Sequence, residues 1–228
     1  MGKRKIKTIK KNIVTIYNPR HILRIFEILN KYDISYRLLR NTDNEIPNNL
    51  LIGKDIDIII SYFERNRVIE LLLREGMKLI PHPFRRDIKL YGVNEFDKLE
   101  DANGILLDIN YEVVVHSLTD EYWIPLDKEI QLSVWKNSKN VTLSGVPITL
   151  LCNEDLFIVT VARCIFDKKG FSMWHQEMLS ELLLSLNVHT VIEKLELIFF
   201  KYSKRLINLI HNDDYDSIYE DYLSFKDY

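Results

Sequence analysis

The chain has 228 residues, 46% of them apolar and 28% charged, and its 31 Lys and Arg stand against 33 Asp and Glu for a net charge of −2. This globular composition is long enough to bury a core and excludes a disordered or collagen-like chain. The balanced charge argues against a protein whose main task is to coat nucleic acid. Two cysteines, Cys152 and Cys164, can build neither a disulfide framework nor a cysteine-rich zinc site, and they fit a reducing compartment. No apolar run nears the ~18 residues of a membrane span, and the basic head lacks the apolar core of a signal peptide, so the expectation is a soluble, cytoplasmic protein. The head (Lys3 to Lys11) and the acidic tail (Asp213 to Asp227) read as solvated termini.

In chain order, residues 21–31 carry Ile22, Ile25, Phe26 and Leu29 at helical spacing after the start signal Asn18-Pro19. Residues 34–41 read as a strand, 42–50 as a polar loop with Pro47, and 51–61 as a strand dense in isoleucine. A helix over 64–75 ends at Gly76; strands follow at 78–80, 87–93 and 104–115, with 94–103 a charged connector. Residues 141–150 predict a hairpin turning at Ser144-Gly145. Asn153 is the expected cap of a helix that runs to about Lys169, followed by helices near 173–186 and 190–210. The expected fold class is α+β: a small mixed β-sheet domain over residues 20–116, then a C-terminal lobe over 117–228 made of the hairpin and helices.

The segment Gly53-Lys54-Asp55-Ile56-Asp57-Ile58-Ile59-Ile60 carries the chemistry. Residues two apart on a strand share a face, so Gly53, Asp55 and Asp57 lie on one side and Ile52, Ile56, Ile58 and Ile60 on the other. Two carboxylates this close repel unless a cation or a cationic side chain lies between them. Carboxylate oxygens suit a hard ion such as Mg²⁺ or Mn²⁺. In Leu106-Leu107-Asp108-Ile109-Asn110, Asp108 interrupts an apolar run. Should the two strands be neighbours, three carboxylates converge as in two-metal phosphoryl chemistry. Spacing alone leaves a second reading open, in which Asp55 and Asp57 face solvent beside Lys54 and Asp108 pairs with an arginine.

In this order the strand ending Leu38-Leu39-Arg40-Asn41, the polar loop with a proline, Gly53-Lys54-Asp55-Ile56-Asp57, a helix, and then Leu107-Asp108-Ile109-Asn110 resemble the nucleotidyltransferase superfamily, with its DNA-polymerase-β-like fold. The nearest resemblance is to the nucleotidyltransferase-like proteins of surface-polysaccharide gene clusters, over residues 36–113. The resemblance implies that Asp55, Asp57 and Asp108 are metal ligands, with Asp108 also orienting or deprotonating an acceptor hydroxyl. It implies that Gly53 lets the backbone approach a phosphate and that Arg40 and Lys54 contact phosphate oxygens. The expected partners are a nucleoside triphosphate or another phosphate donor and a small-molecule acceptor, such as a sugar or polysaccharide precursor. One element of the superfamily pattern is missing: Arg40-Asn41 stands where a Gly-Ser pair usually grips the triphosphate. Two alternatives therefore stand beside the enzyme reading. One is a non-catalytic nucleotide- or partner-binding module; the other is a toxin- or antitoxin-type nucleotidyltransferase acting on a macromolecule.

Other candidates read as structural. Pro81-His82-Pro83-Phe84-Arg85-Arg86 is an exposed turn or an anion site at the sheet edge; His116 has no His or Cys at ligand spacing; His175 beside Trp174 packs or caps a helix. Asp167-Lys168-Lys169 suits a helix C-terminus, and by analogy can face a cleft between lobes. Gly-x-Ser-x-Gly, Gly-x-Gly-x-x-Gly and Walker patterns are absent.

Overall fold

The computed structural model describes residues 15–41, 45–81, 89–90, 96–116 and 122–223. The basic head, the segment with His82, Arg85 and Arg86, most of the strand expected at 87–93 and the last residues of the acidic tail lie outside them.

Helix α1 (Pro19–Lys31) begins where the sequence signals it. The Asn18 side chain accepts from Arg20 N at 3.0 Å, and Pro19 fills a first-turn position that needs no N–H donor. β1 (Tyr36–Leu38), β2 (Asp55–Ile60), α2 (Arg65–Arg74) and β3 (Lys78–Ile80) follow, then β4 (Lys89–Leu90), β5 (Asp97–Glu100), β6 (Leu106–Asn110), β7 (Val114–His116) and β8 (Tyr122–Pro125). The remainder is α3 (Lys128–Lys136), the hairpin β9 (Ser138–Leu143) and β10 (Val146–Leu151), then α4 (Asn153–Arg163), α5 (Met173–Ser185), α6 (Val188–Phe199), α7 (Ser203–His211) and α8 (Tyr215–Leu223).

The fold is α+β around a seven-stranded mixed sheet of order β3-β5-β6-β2-β1-β10-β9, with β4, β8 and β7 forming a smaller sheet. β2 runs parallel to β6 and antiparallel to β1. Its two faces go to different cores. Ile56, Ile58 and Ile60 are fully buried with Phe26 and Leu29 of α1 and Leu71 and Leu72 of α2. Ile59 points the other way and joins Leu39 in a second core with Phe157, Val161, Leu179 and Leu206 of the helices. The face that bears Asp55 and Asp57 therefore runs under the helical lobe. Among the described residues no helix is long and apolar enough to cross a membrane.

Several elements depart from expectation. The hairpin, assigned from sequence to the second lobe, extends the first sheet instead: β10 pairs in parallel with β1, Leu38 opposite Leu150. The sheet thus draws on residues from both sides of the 116/117 division. Its turn is as expected, with Ser144 at φ 49° and Gly145 at φ 86°. Positive φ at both central residues is costly for serine and cheap for asparagine. Ser144→Asn is expected to raise stability by about 0.5–1 kcal/mol, measurable as a shifted urea midpoint at unchanged slope.

The connector at 94–103 contains β5, and the strand expected over 104–115 is two strands, β6 and β7. The helix expected over 190–210 is α6 and α7, broken at Phe200 with φ 51°. α4 is capped by Cys152 rather than Asn153, through Sγ accepting from Asp155 N. Ile52 is exposed, and Gly53 precedes β2 in a turn at φ +89°, because the strand starts only at Asp55.

Among the described residues of the helical lobe, Asp155 is a fully buried carboxylate. Asp155 accepts from Ser133 Oγ at 2.9 and 3.0 Å and from Lys194 Nζ at 2.7 Å, which ties α3, α4 and α6 together.

Candidate active site

Parallel pairing of β2 with β6 sets Asp57 directly opposite Asp108, with Asp55 two residues back on the same face. Three carboxylates thus share one patch of the sheet, and two cationic side chains meet them. Lys98 lies on β5 opposite Asp108, and its Nζ is 2.8 Å from Asp108 Oδ1 and 3.0 Å from Asp55 Oδ2. Arg40, just beyond β1, places Nη1 2.9 Å from Asp57 Oδ1. Asn41 joins the two strands: its Nδ2 donates to the Asp55 carbonyl at 3.1 Å, and its Oδ1 accepts from Asp57 N at 3.3 Å.

Asp57 is only 4% exposed, and burial raises its pKa while the Arg40 charge opposes the rise. Asp108 is pushed up to about 7, by burial first and by its contact with Asp55, against the pull of Lys98. Asp55 is held below the usual carboxylate range by its hydrogen bonds to Asp108 and Lys98, which outweigh its burial.

The Asp108 shift has a sign. An unfolded aspartate ionises near 3.9, so between about pH 4 and pH 7 the unfolded chain has released a proton that the native state still holds. Native stability is full below that window and falls as pH rises through it. Asp55, shifted the other way, acts below pH 4. Asp108→Asn is therefore expected to be more stable than the wild type at pH 8 by on the order of 1–3 kcal/mol, with little gain at pH 4. Thermal melts of both proteins at the two pH values read this directly.

Two cavities flank the carboxylates, and Arg40, Asp55, Asp57, Arg163 and Lys168 line both. The larger, about 410 Å³, is completed by Asn41, Glu45, Lys54, Ser172, Trp174 and His175. The smaller, about 220 Å³, is completed by Phe96, Asp108, Asn110, His116, Trp123 and Asp167. Arg163 ends α4, and the five-residue π-helical turn Cys164–Lys168 then carries Asp167 and Lys168 over the sheet. Such turns often re-aim side chains at functional positions. Burial and the nearby Arg40 charge pull Arg163 down to about 10. Burial, then Arg163 and Lys168, lower His175. Cations crowded in this way favour an anion between them.

The structure thus brings Asp55, Asp57, Asp108 and Arg40 together. Lys54 lines the larger cavity, with its ammonium on Glu45. Gly53 lines neither cavity: its N–H goes to Tyr17 Oη at 3.1 Å, and its positive φ is what demands glycine there. Asp108 pairs with a lysine rather than an arginine. As they stand, no three His, Cys, Asp or Glu among the described residues are grouped to hold a metal ion.

Reading the sequence missed Lys98, Arg163, Trp123 and the cavity-facing place of Trp174. Arg163 had left a signal as the one cation in the apolar stretch 156–166. His175 stands in the first turn of α5 beside its cap, close to its expected place, and His116, for which the sequence offered no ligand partner, packs on an indole. His116 lies 3.8 Å from Trp123 between ring centroids, and Ser172, the cap of α5, contacts His175 Nδ1 at 2.7 Å.

Solved structures similar to this chain include ANT(2″)-Ia in complex with adenylyl-2″-tobramycin, at 12% identity and TM-score 0.49, covering 77% of this chain and 93% of that one. Lincomycin-bound lincosamide antibiotic adenylyltransferase LnuA is similar at 13% identity and TM-score 0.44, over 74% of this chain and 98% of that one. An antigenic nucleotidyltransferase-like protein from Paracoccidioides brasiliensis is similar at 12% identity and TM-score 0.41, over 82% and 90%. No family model matches this chain, and no curated protein does.

Proposed function

We propose that this protein is a nucleotidyltransferase that moves a nucleotidyl group from a nucleoside triphosphate to a hydroxyl of a small acceptor. The observation that carries the reading is the placement of Asp55, Asp57 and Asp108 where two cavities of different character meet. The larger has four cations around it and the half-exposed Trp174 on its wall, which suits phosphates with a base stacked on the indole. The smaller lies below the roughly 300–1,000 Å³ typical of drug-sized sites, which suits a single ring. Phe96 and Trp123 offer it apolar faces, on which a sugar or polysaccharide precursor can lie, and Asp108 and Asn110 offer it polar ones. These dimensions favour a small acceptor over a macromolecule.

The carboxylates also suit a hard divalent ion. Asp55 and Asp108 already direct oxygens at one cation, the Lys98 ammonium, and Asp57 lies beside them. Asp55, Asp57 and Asp108 would hold Mg²⁺ or Mn²⁺, which when bound supplies charge neutralisation on the transferring group and acidifies the acceptor hydroxyl.

The chain's own groups do the rest. Arg40, Arg163 and Lys168 bind phosphate oxygens and take over the work of the missing Gly-Ser pair. Asp108 accepts the proton of the acceptor hydroxyl as its oxygen attacks the α-phosphorus. The bond from that phosphorus to the bridging oxygen breaks, and pyrophosphate leaves. The helical lobe packed over this face of the sheet keeps Asp57 away from water.

Trp174 gives a direct test. With Mg²⁺ present, at least one of ATP, GTP, CTP and UTP is expected to change tryptophan emission, and the change is expected to vanish in Trp174→Phe. Unchanged emission with all four, or an identical change in the variant, would contradict the assignment of the larger cavity to the donor. Nucleotide binding without pyrophosphate release would favour the non-catalytic module.

A further inference from the structure

We propose that Lys98 is a resident counter-ion, standing between Asp55 and Asp108 in the place of a divalent cation, so that the lysine and the ion are alternatives. The inference rests on the transferase reading of the carboxylate patch. Its observations are geometric: one ammonium contacts two carboxylates from two different strands, at 3.0 and 2.8 Å, and the Lys98 side chain is 11% exposed.

The backbone beneath Lys98 is fixed. Asp97, the preceding residue, is almost wholly buried and accepts from Arg65 Nε at 2.6 Å and from Arg65 Nη2 at 3.0 Å, with Tyr111 Oη on the same carboxylate. Bidentate arginine pairing of this kind holds a strand in register. The lysine side chain, by contrast, is a flexible stem with a compact charge at its end. Rigid strand and flexible arm together form a device that can leave without unfolding anything.

Electrostatics makes the two occupants exclusive. Asp57 has its own cation in Arg40, so Lys98 balances the other two carboxylates. A divalent ion on those oxygens would sit within contact distance of the ammonium, and like charges at that range repel. The metal-free protein is thus spared the repulsion of bare carboxylates, at the expense of metal affinity. By linkage, whatever lowers metal affinity through Lys98 must itself be weakened by metal. Lys98 is therefore expected to become free as the ion binds.

The test is a Mn²⁺ titration without nucleotide, with free Mn²⁺ read by electron paramagnetic resonance. Lys98→Met is expected to bind Mn²⁺ at least about tenfold more tightly than the wild type. Adding Asp108→Asn to that variant is expected to abolish the gain. Equal or weaker binding by Lys98→Met, or no Mn²⁺ bound by either protein, overturns the proposal. A second measurement uses only the wild type, in case the variant does not fold. Amine-reactive labelling at Lys98, read by mass spectrometry, is expected to be slow without Mn²⁺ and faster with it; labelling indifferent to Mn²⁺ likewise overturns the proposal. Neither arm contains nucleotide, so a failed transferase reading and a failed Lys98 proposal give different results.

Discussion

Asp57→Asn is expected to lower nucleotidyl transfer by at least about 10²–10³-fold, the usual loss when a group that meets transition-state charge is removed. The same substitution is expected to leave folding nearly intact. Asp57 is buried, but its charge is poorly placed for stability: burial raises its pKa, and Asp55 raises it further. Asn keeps the shape and removes a charge that Asp108 faces across the strands. Arg40, left without its partner, is 30% exposed and can turn to water. The two effects balance to within about 1 kcal/mol. Transfer assays beside thermal melts separate them; a variant with wild-type turnover would remove Asp57 from the chemistry.

Asp155→Ala is expected to behave in the opposite way, lowering stability by about 3 kcal/mol and the melting temperature by roughly 6–12 °C, while changing nothing in either cavity. Asp155 is fully buried, and Ser133, Cys152 and Lys194 all direct polar hydrogens at it. Its removal leaves the Lys194 ammonium in a mostly apolar setting beside Ser133. Because Lys194 keeps some contact with solvent, the cost falls at the lower end of the range for a broken buried pair. Asp155→Asn should cost less, since the amide oxygen can still accept from Ser133. In a double-mutant cycle, Asp155→Asn with Lys194→Met should be less destabilised than the sum of the single changes. An additive result would show that the pair does not couple α4 to α6.

Period-two alternation was enough to place Asp55 and Asp57 on one face and Ile56, Ile58 and Ile60 on the other. Ile59, apolar on the carboxylate face, is the residue in that pattern that signals a second core covering the same face. The place of Asp108 came through the resemblance, because register between strands about 50 residues apart is not written in either strand. Local pattern revealed the hairpin at Ser144-Gly145 but could not say which edge it joins, since its partner Leu38 lies far away in sequence. Asp97-Lys98-Leu99-Glu100 read as a connector because three of its four residues are charged. Two of those charges, Asp97 and Lys98, are spent on Arg65, Tyr111, Asp55 and Asp108, so the strand is paired and half of it is buried. The break at Phe200 has no glycine or proline to announce it. The π-helical turn that carries Asp167 and Lys168 likewise has no sequence signature.

The most direct measurement of the central claim is calorimetric titration of each of the four nucleoside triphosphates, with and without Mg²⁺, into the wild type and the Asp55→Asn/Asp57→Asn double variant. The expected result is Mg²⁺-dependent binding of at least one nucleotide by the wild type and its loss in the variant. Binding that is indifferent to both Mg²⁺ and the two substitutions, or no binding of any nucleotide, would contradict the assignment of this carboxylate patch to nucleotidyl transfer.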